Sequence, residues 1–198
     1  SLEDLNVIRV LIDGEVVAEN GACTFPLPPF EYPAWVTHSM HLGRAIAPET
    51  FRVEAPTDAA EGDAVCVRVI EVLPGSVPDR EVRAALTVTD GALESDLDQD
   101  VLKTFVFERH HETGTKGVGF LKGFGFRKGA MAQTVSHDAH NLLVAGTNDA
   151  DMALAANTLI ECGGGMCAVA DGKVLAVVPL PIAGLMNDLP VREMAELV

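Results

Sequence analysis

The sequence has 198 residues, of which 48% are hydrophobic and 22% are charged. This length suits one domain or two small ones, and the hydrophobic content argues against a disordered chain. With 14 basic and 29 acidic side chains, the formal net charge at pH 7 is −15. So large an acidic excess argues against binding to nucleic acid and to anionic membrane surfaces, because both need cationic side chains.

The four cysteines show no C-x-x-C spacing, so neither a zinc ribbon nor a disulfide framework is indicated. This usage is typical of a reducing compartment, and we expect a cytoplasmic protein. No apolar run approaches the ~20 residues that a membrane-spanning helix needs, and the N-terminus lacks a signal-peptide pattern. The sequence starts at Ser1 near a predicted strand and stops at Val198 within a predicted helix. We therefore expect a piece of a longer polypeptide.

The beginning of the chain predicts a small β unit. Residues 7–12 form an apolar, β-branched run, and Asp13-Gly14 is a strong hairpin turn from which the chain returns over 15–18. Such a unit buries too little apolar surface to be stable alone, so we expect it to complete a larger sheet.

Four prolines between Phe25 and Pro33 predict an extended linker, because proline fixes its own φ and lacks an N–H donor. We therefore expect a β unit over 1–25, a linker over 26–34 and a second domain over 35–198. His38 and His41 stand three residues apart beside this linker. We interpret them as structural or surface side chains, since such short matches arise readily by chance.

The second domain alternates strand patterns with turn signals. Strands are predicted at 51–55, 64–73, 82–88, 102–108, 130–135 and 142–145, and in a hairpin over 166–178 around Asp171-Gly172. Asn148 is a candidate N-cap for a helix that Gly163 ends, and a further helix is predicted near Pro190. This order predicts an α+β fold with a mixed, mostly antiparallel sheet and a few helices.

Residues 115–129 contain five glycines but match neither the Walker A spacing nor the dinucleotide-binding spacing. We interpret these glycines as positions at which backbones pack closely.

Two polar clusters are candidate sites. The strand over 102–108 is followed by Arg109, His110, His111 and Glu112, and loops at strand ends commonly carry function. The alternative is a loop with exposed histidines.

The other cluster, Ser136 to Asn141, lies between two strands and contains His137, Asp138 and His140. Imidazole and carboxylate groups suit metal binding or proton transfer. On an extended chain the two histidines would face opposite sides, so they converge only if the chain turns at residues 138–139. The alternative is a polar loop that bonds to its own backbone. Our hypothesis is that these three residues act together, with His110 or His111 nearby.

Several long runs carry a resemblance to a known family. The runs over 136–165 and 171–188 resemble the C-terminal domain of adenine deaminases in the amidohydrolase superfamily, and 110–141 resembles the segment just upstream. The hairpin over 7–21 resembles the end of the small β-sandwich that flanks amidohydrolase barrels.

The resemblance implies hydrolysis of adenine to hypoxanthine and ammonia by a (β/α)₈ barrel. It implies a binuclear divalent metal centre, manganese or iron, whose bound hydroxide attacks C6 of the purine. The His-x-His motif of that barrel is absent here, and a barrel needs ~250 residues. The metal ligands are therefore expected upstream, and this chain alone is expected to be inactive.

Two classes of function follow. In the first, the chain contributes to the enzyme. His137, Asp138 and His140 are then catalytic candidates, His137 and His140 are metal candidates, and His110, His111, Ser136 and Asn141 serve substrate binding or access. In the second, the chain is a non-catalytic structural or oligomerisation module that packs on the barrel. The expected partners are the N-terminal barrel, adenine and further copies in a homo-oligomer.

Overall fold

A computed structural model describes residues 6–26, 29–75 and 78–198. The chain divides into two compact units, Ser1–Tyr32 and Pro33–Val198. The first unit is a three-stranded antiparallel sheet of β1 (Arg9–Ile12), β2 (Glu15–Glu19) and β3 (Ala22–Cys23). Asp13 and Gly14 take φ angles of 51° and 86°, as a tight hairpin turn requires, so the predicted hairpin is confirmed. Its membership of a β-sandwich stays a prediction.

The described residues of the predicted linker, up to Pro33, form no helix or strand, and residues 27 and 28 lie outside the described part. The boundary between the two units falls within this linker, after Tyr32. The assignment of residues 1–25 and 35–198 to two named domains stays a prediction.

The second unit contains a sheet in which nine strands are described, in the order β12-β11-β9-β10-β7-β8-β4-β5-β6. The strands are β4 (Ala64–Glu71), β5 (Arg80–Thr89), β6 (Ala92–Leu93), β7 (Val101–Phe107), β8 (Lys116–Lys122), β9 (Ala130–Gln133), β10 (Leu142–Gly146), β11 (Gly165–Ala170) and β12 (Lys173–Pro179). The described pairings are antiparallel except β4 with β8. The helices are α1 (Ala34–Thr37), α2 (Asp149–Cys162) and α3 (Val191–Leu197). The predicted α+β class is confirmed.

Helix α2 has the predicted ends. The Asn148 side-chain oxygen accepts a hydrogen bond from the Asp151 amide at 2.8 Å, and Gly163 ends the helix with φ at 82°. Met152, Ala155, Ala156 and Leu159 on its buried face pack into the core with Phe51, Phe105 and Phe107. Burial of a side chain the size of Leu159 contributes about 1.5–3 kcal/mol to stability. Among the described helices, none is both long and apolar enough to cross a membrane.

The strand predicted over 51–55 is wrong. Residues Pro48–Phe51 form a short 3₁₀ helix instead, and Glu54 makes only an isolated bridge to Ala92. The reason is tertiary, since the Phe51 ring is fully buried with its centroid 5.1 Å from Phe105 and 5.6 Å from Phe107.

The strand predicted over 102–108 is confirmed as β7, which is buried along almost its whole length. Lys103 is fully buried within this strand. Its Nζ lies 2.6 Å from a Glu94 carboxylate oxygen and also pairs with Asp149 in the first turn of α2. These two carboxylates explain how a lysine is accommodated in the interior.

Candidate functional site

The two predicted histidine clusters meet at one edge of the sheet. Phe107, the last residue of β7, pairs with Leu142, the first residue of β10. Because these strands are antiparallel, the residues after β7 and those before β10 leave the sheet side by side. The His110 Nε2 lies 3.0 Å from the Ala139 carbonyl oxygen, so this nitrogen carries the proton and donates to the other cluster.

The loop before β10 contains a turn. His137 and His140 can come together only because the chain turns here. The His140 amide donates to the Ser136 carbonyl oxygen at 2.6 Å, which closes the turn. The His137 and His140 rings lie 5.7 Å apart between centroids, at an interplanar angle of 89°. His137 Nδ1 and Asp138 Oδ1 form a pair on the surface, where both side chains are more than 80% exposed. The structure therefore brings the three residues together, and their role in a reaction stays a prediction.

Two buried polar atoms of this loop lack partners. Among the described residues, neither His140 Nδ1 nor the Asn141 side-chain oxygen has a hydrogen-bond partner. Buried polar atoms normally have a hydrogen-bond partner, so the two unpaired atoms in this loop need a separate explanation.

Glu108 organises the loop after β7. Its carboxylate accepts hydrogen bonds from the His110 amide at 2.6 Å, from the His111 amide at 3.0 Å, and from the amide and hydroxyl of Thr113. Desolvation raises the pKa of Glu108, but these hydrogen bonds outweigh it and lower the pKa from 4.5 to about 2. The carboxylate is therefore ionised near neutral pH, where it cannot serve as a general acid.

Arg109 holds three segments of the chain together. Its side chain is 1% exposed. The Nε donates to the His140 carbonyl oxygen at 2.7 Å, the Nη1 to the Ser39 carbonyl oxygen at 2.8 Å, and the Nη2 to the Ala183 carbonyl oxygen at 2.9 Å. Burial lowers the pKa of Arg109, and the nearby Glu108 charge opposes this by raising it. An arginine nevertheless stays protonated in proteins.

The remaining histidines lie on the surface around this edge. The His41 amide donates to the Arg109 carbonyl oxygen at 2.8 Å. His41 also lines a cleft of about 370 Å³ that Glu108 and Lys116 border. The His38 Nδ1 lies 2.9 Å from the Ala34 carbonyl oxygen, which agrees with a structural role for His38.

Sequence reasoning missed part of this site. It named Arg109 but gave it no role, and it selected neither Glu108 nor Ser39 nor Ala183. Charged residues at the end of a buried strand were the available signal for Glu108 and Arg109. Among the described residues, no group of three or more His, Cys, Asp or Glu side chains is arranged to hold a metal ion.

Comparison with known proteins gives the family. The family model described as the adenine deaminase C-terminal domain matches residues 76–198. An adenine deaminase of Clostridium botulinum (strain ATCC 19397 / Type A) is 55% identical over 197 residues, covering 100% of this chain and 32% of its own length. One from Moorella thermoacetica is 50% identical over 187 residues, covering 94% of this chain and 31% of its own length. The chain thus spans about a third of the length of the curated relatives it matches. Because the family model covers more than half of the sequence, the chain belongs to the adenine deaminase C-terminal domain family.

Proposed function

We propose that this chain is the C-terminal part of an adenine deaminase, and that the full-length enzyme hydrolyses adenine to hypoxanthine and ammonia. In that reaction water adds at C6 of the purine and the amino group leaves as ammonia. One observation carries the proposal: relatives named adenine deaminase align with almost the whole sequence at 50–55% identity.

The described residues of this chain do not fit the metal centre that the family resemblance implies. Among the described residues, no group of three or more His, Cys, Asp or Glu side chains could hold a metal ion. The candidates from the sequence are His137, Asp138 and His140. Of these, His137 and Asp138 are exposed and already paired with each other. We therefore assign the ligands of a binuclear manganese or iron centre to a barrel upstream in the longer polypeptide. An auxiliary metal on His137 and His140 stays a prediction.

In our proposal, this chain contributes to the reaction through the loop cluster, which is His137, Asp138 and His140 in the loop before β10. Departure of ammonia requires protons, and imidazole is the side chain that exchanges protons most readily near neutral pH. We assign proton transfer to His137 and His140, with Asp138 orienting His137 through their pair. The residues that we assign to substrate binding or access are His110, His111, Ser136 and Asn141, which lie in the loops after β7 and before β10.

The test compares the full-length enzyme with this chain alone. Both proteins are incubated with adenine and added manganese or ferrous iron, and hypoxanthine and ammonia are measured. We expect turnover by the full-length enzyme and none above a metal-only control by the chain alone. Turnover of another purine but not adenine by the full-length enzyme would contradict the proposed substrate. Turnover by the chain alone would contradict the assignment of the chemical centre to the upstream barrel.

One observation favours the second class of function, a non-catalytic structural or oligomerisation module. The buried Arg109 guanidinium donates to main-chain oxygens of three segments, as expected of a group that stabilises loops. If the module is purely structural, substitutions in the loop cluster lower the melting temperature or change the oligomeric mass in light scattering. In that case kcat/KM of the folded enzyme stays unchanged.

A further inference from the structure

We propose that Arg109 is a positioning residue for adenine deamination. Its buried guanidinium holds the loop of His140 in the arrangement that the reaction uses. This inference rests on the proposed function and extends it to a residue that does not itself contact the substrate.

The first argument is connectivity. Arg109 bonds to His140, Ser39 and Ala183, which lie 31, 70 and 74 residues away in the sequence. The Ser39 hydroxyl oxygen lies 3.1 Å from Nη1 as a further acceptor. One side chain thus bonds to the loop before β10 and to the segments that contain Ser39 and Ala183.

The second argument is backbone conformation. His140 and Ala183 have φ angles of 51° and 57°, in the left-handed region that is unfavourable for residues other than glycine. Such conformations persist where surrounding contacts hold them, and they concentrate at functional sites. Arg109 donates to the carbonyl oxygens of both residues. It therefore stabilises the strained backbone from which the His140 imidazole projects.

The third argument is the fit of the guanidinium. A Cβ added at Gly184 would lie 2.7 Å from Nη2 and 2.9 Å from Nη1 of Arg109. Glycine at this position leaves the space that the guanidinium occupies. Lysine cannot replace arginine here, because a single ammonium group cannot reproduce the planar fork that donates in three directions.

The experiment uses the full-length enzyme with Arg109→Lys, which keeps the charge, and Gly184→Ala, which keeps Arg109 but takes its space. The matched control is Lys103→Met, which removes another buried cation. Lys103 lies towards the start of β7, and the loop that contains His110 follows the end of that strand. For each folded variant, kcat, KM and the pH profile are measured well below its melting temperature. Hydrogen–deuterium exchange of the peptides that contain His140 and Ala183 is followed in parallel.

We expect Arg109→Lys and Gly184→Ala to lower kcat about 10- to 100-fold, because small displacements of a reacting group are costly. KM should change less than kcat, and the His140 and Ala183 peptides should exchange faster. Lys103→Met should lower the melting temperature and leave kcat per folded molecule unchanged.

Three outcomes would overturn the inference. The first is a kcat within about twofold of wild type in Arg109→Lys or Gly184→Ala, with a lowered melting temperature. The second is unchanged exchange at His140 in either variant. The third is a Lys103→Met variant that loses kcat as the Arg109 variant does. If the wild-type enzyme does not deaminate adenine, the proposed function fails, and a positioning role for deamination falls with it. The exchange data then show separately whether Arg109 holds the loop.

Discussion

Phe107 and Leu142 lie opposite each other on neighbouring antiparallel strands. One of them ends β7 and the other begins β10, so this pair places the loop of His110 beside the loop of His140. The two histidine clusters are 26 residues apart in the sequence, between His111 and His137, and the strand register brings them together.

We predict that His137→Ala and His140→Ala lower kcat/KM of the full-length enzyme by about 100-fold, within the usual contribution of acid–base groups. The melting temperature should change little for His137→Ala, because the His137 side chain is 83% exposed. His38→Ala is the matched control, since His38 is an exposed histidine that bonds within its own helical turn. Steady-state kinetics and thermal melts check this prediction. Unchanged kinetics with lowered stability would mean that the cluster only holds the loop together.

We predict a pH-dependent effect of Glu108→Gln on stability. The pKa of Glu108 falls from 4.5 to about 2 on folding. Its stabilising contribution is therefore fully present above the unfolded-state pKa, and it is lost as the pH falls through the folded-state pKa. The difference in free energy of unfolding between wild type and Glu108→Gln should stay constant from pH 7 to about 5 and shrink at lower pH. Urea unfolding at a series of pH values measures it, and a difference that grows on acidification would contradict the prediction.

We predict that Asn148→Ala destabilises the protein by about 1 kcal/mol, as expected for loss of an N-cap. The substitution removes the acceptor for the Asp151 amide and the 2.9 Å hydrogen bond to the Asp151 carboxylate. Asn148→Ser keeps a capping oxygen and should recover most of the loss. Urea unfolding checks both variants, and equal stability of the Ala and Ser variants would show that the cap contributes nothing.

We predict that Lys103→Met lowers the free energy of unfolding without affecting the loops after β7 and before β10. Removal of one partner of a fully buried ion pair costs about 3–5 kcal/mol. Here the loss should be smaller, because the Glu94 and Asp149 side chains are 45% and 26% exposed and water can screen their charges. The free energy of unfolding in urea tests this. A Met variant as stable as wild type would mean that packing compensates for the pair.

Local chemistry made part of this structure predictable from sequence. The turns at Asp13-Gly14 and Asp171-Gly172 and the helix that starts after Asn148 form where the sequence predicts them. In each case the determining groups are a few residues apart, so no distant contact decides the outcome. Residues 48–55 are the counterexample, because burial of Phe51 against two rings of β7 decided their conformation.

The sequence by itself determined the tight turns, most of the strands, the capped helix α2, the fold class and the two histidine clusters of the candidate site. Only the tertiary structure decided which of those side chains meet and what holds them. Arg109 bonds to main-chain oxygens of His140, Ser39 and Ala183. Every residue carries such an oxygen, so nothing in the side-chain pattern marks these three as partners. The strand register and the left-handed backbones of His140 and Ala183 place their carbonyl oxygens within reach of one buried guanidinium.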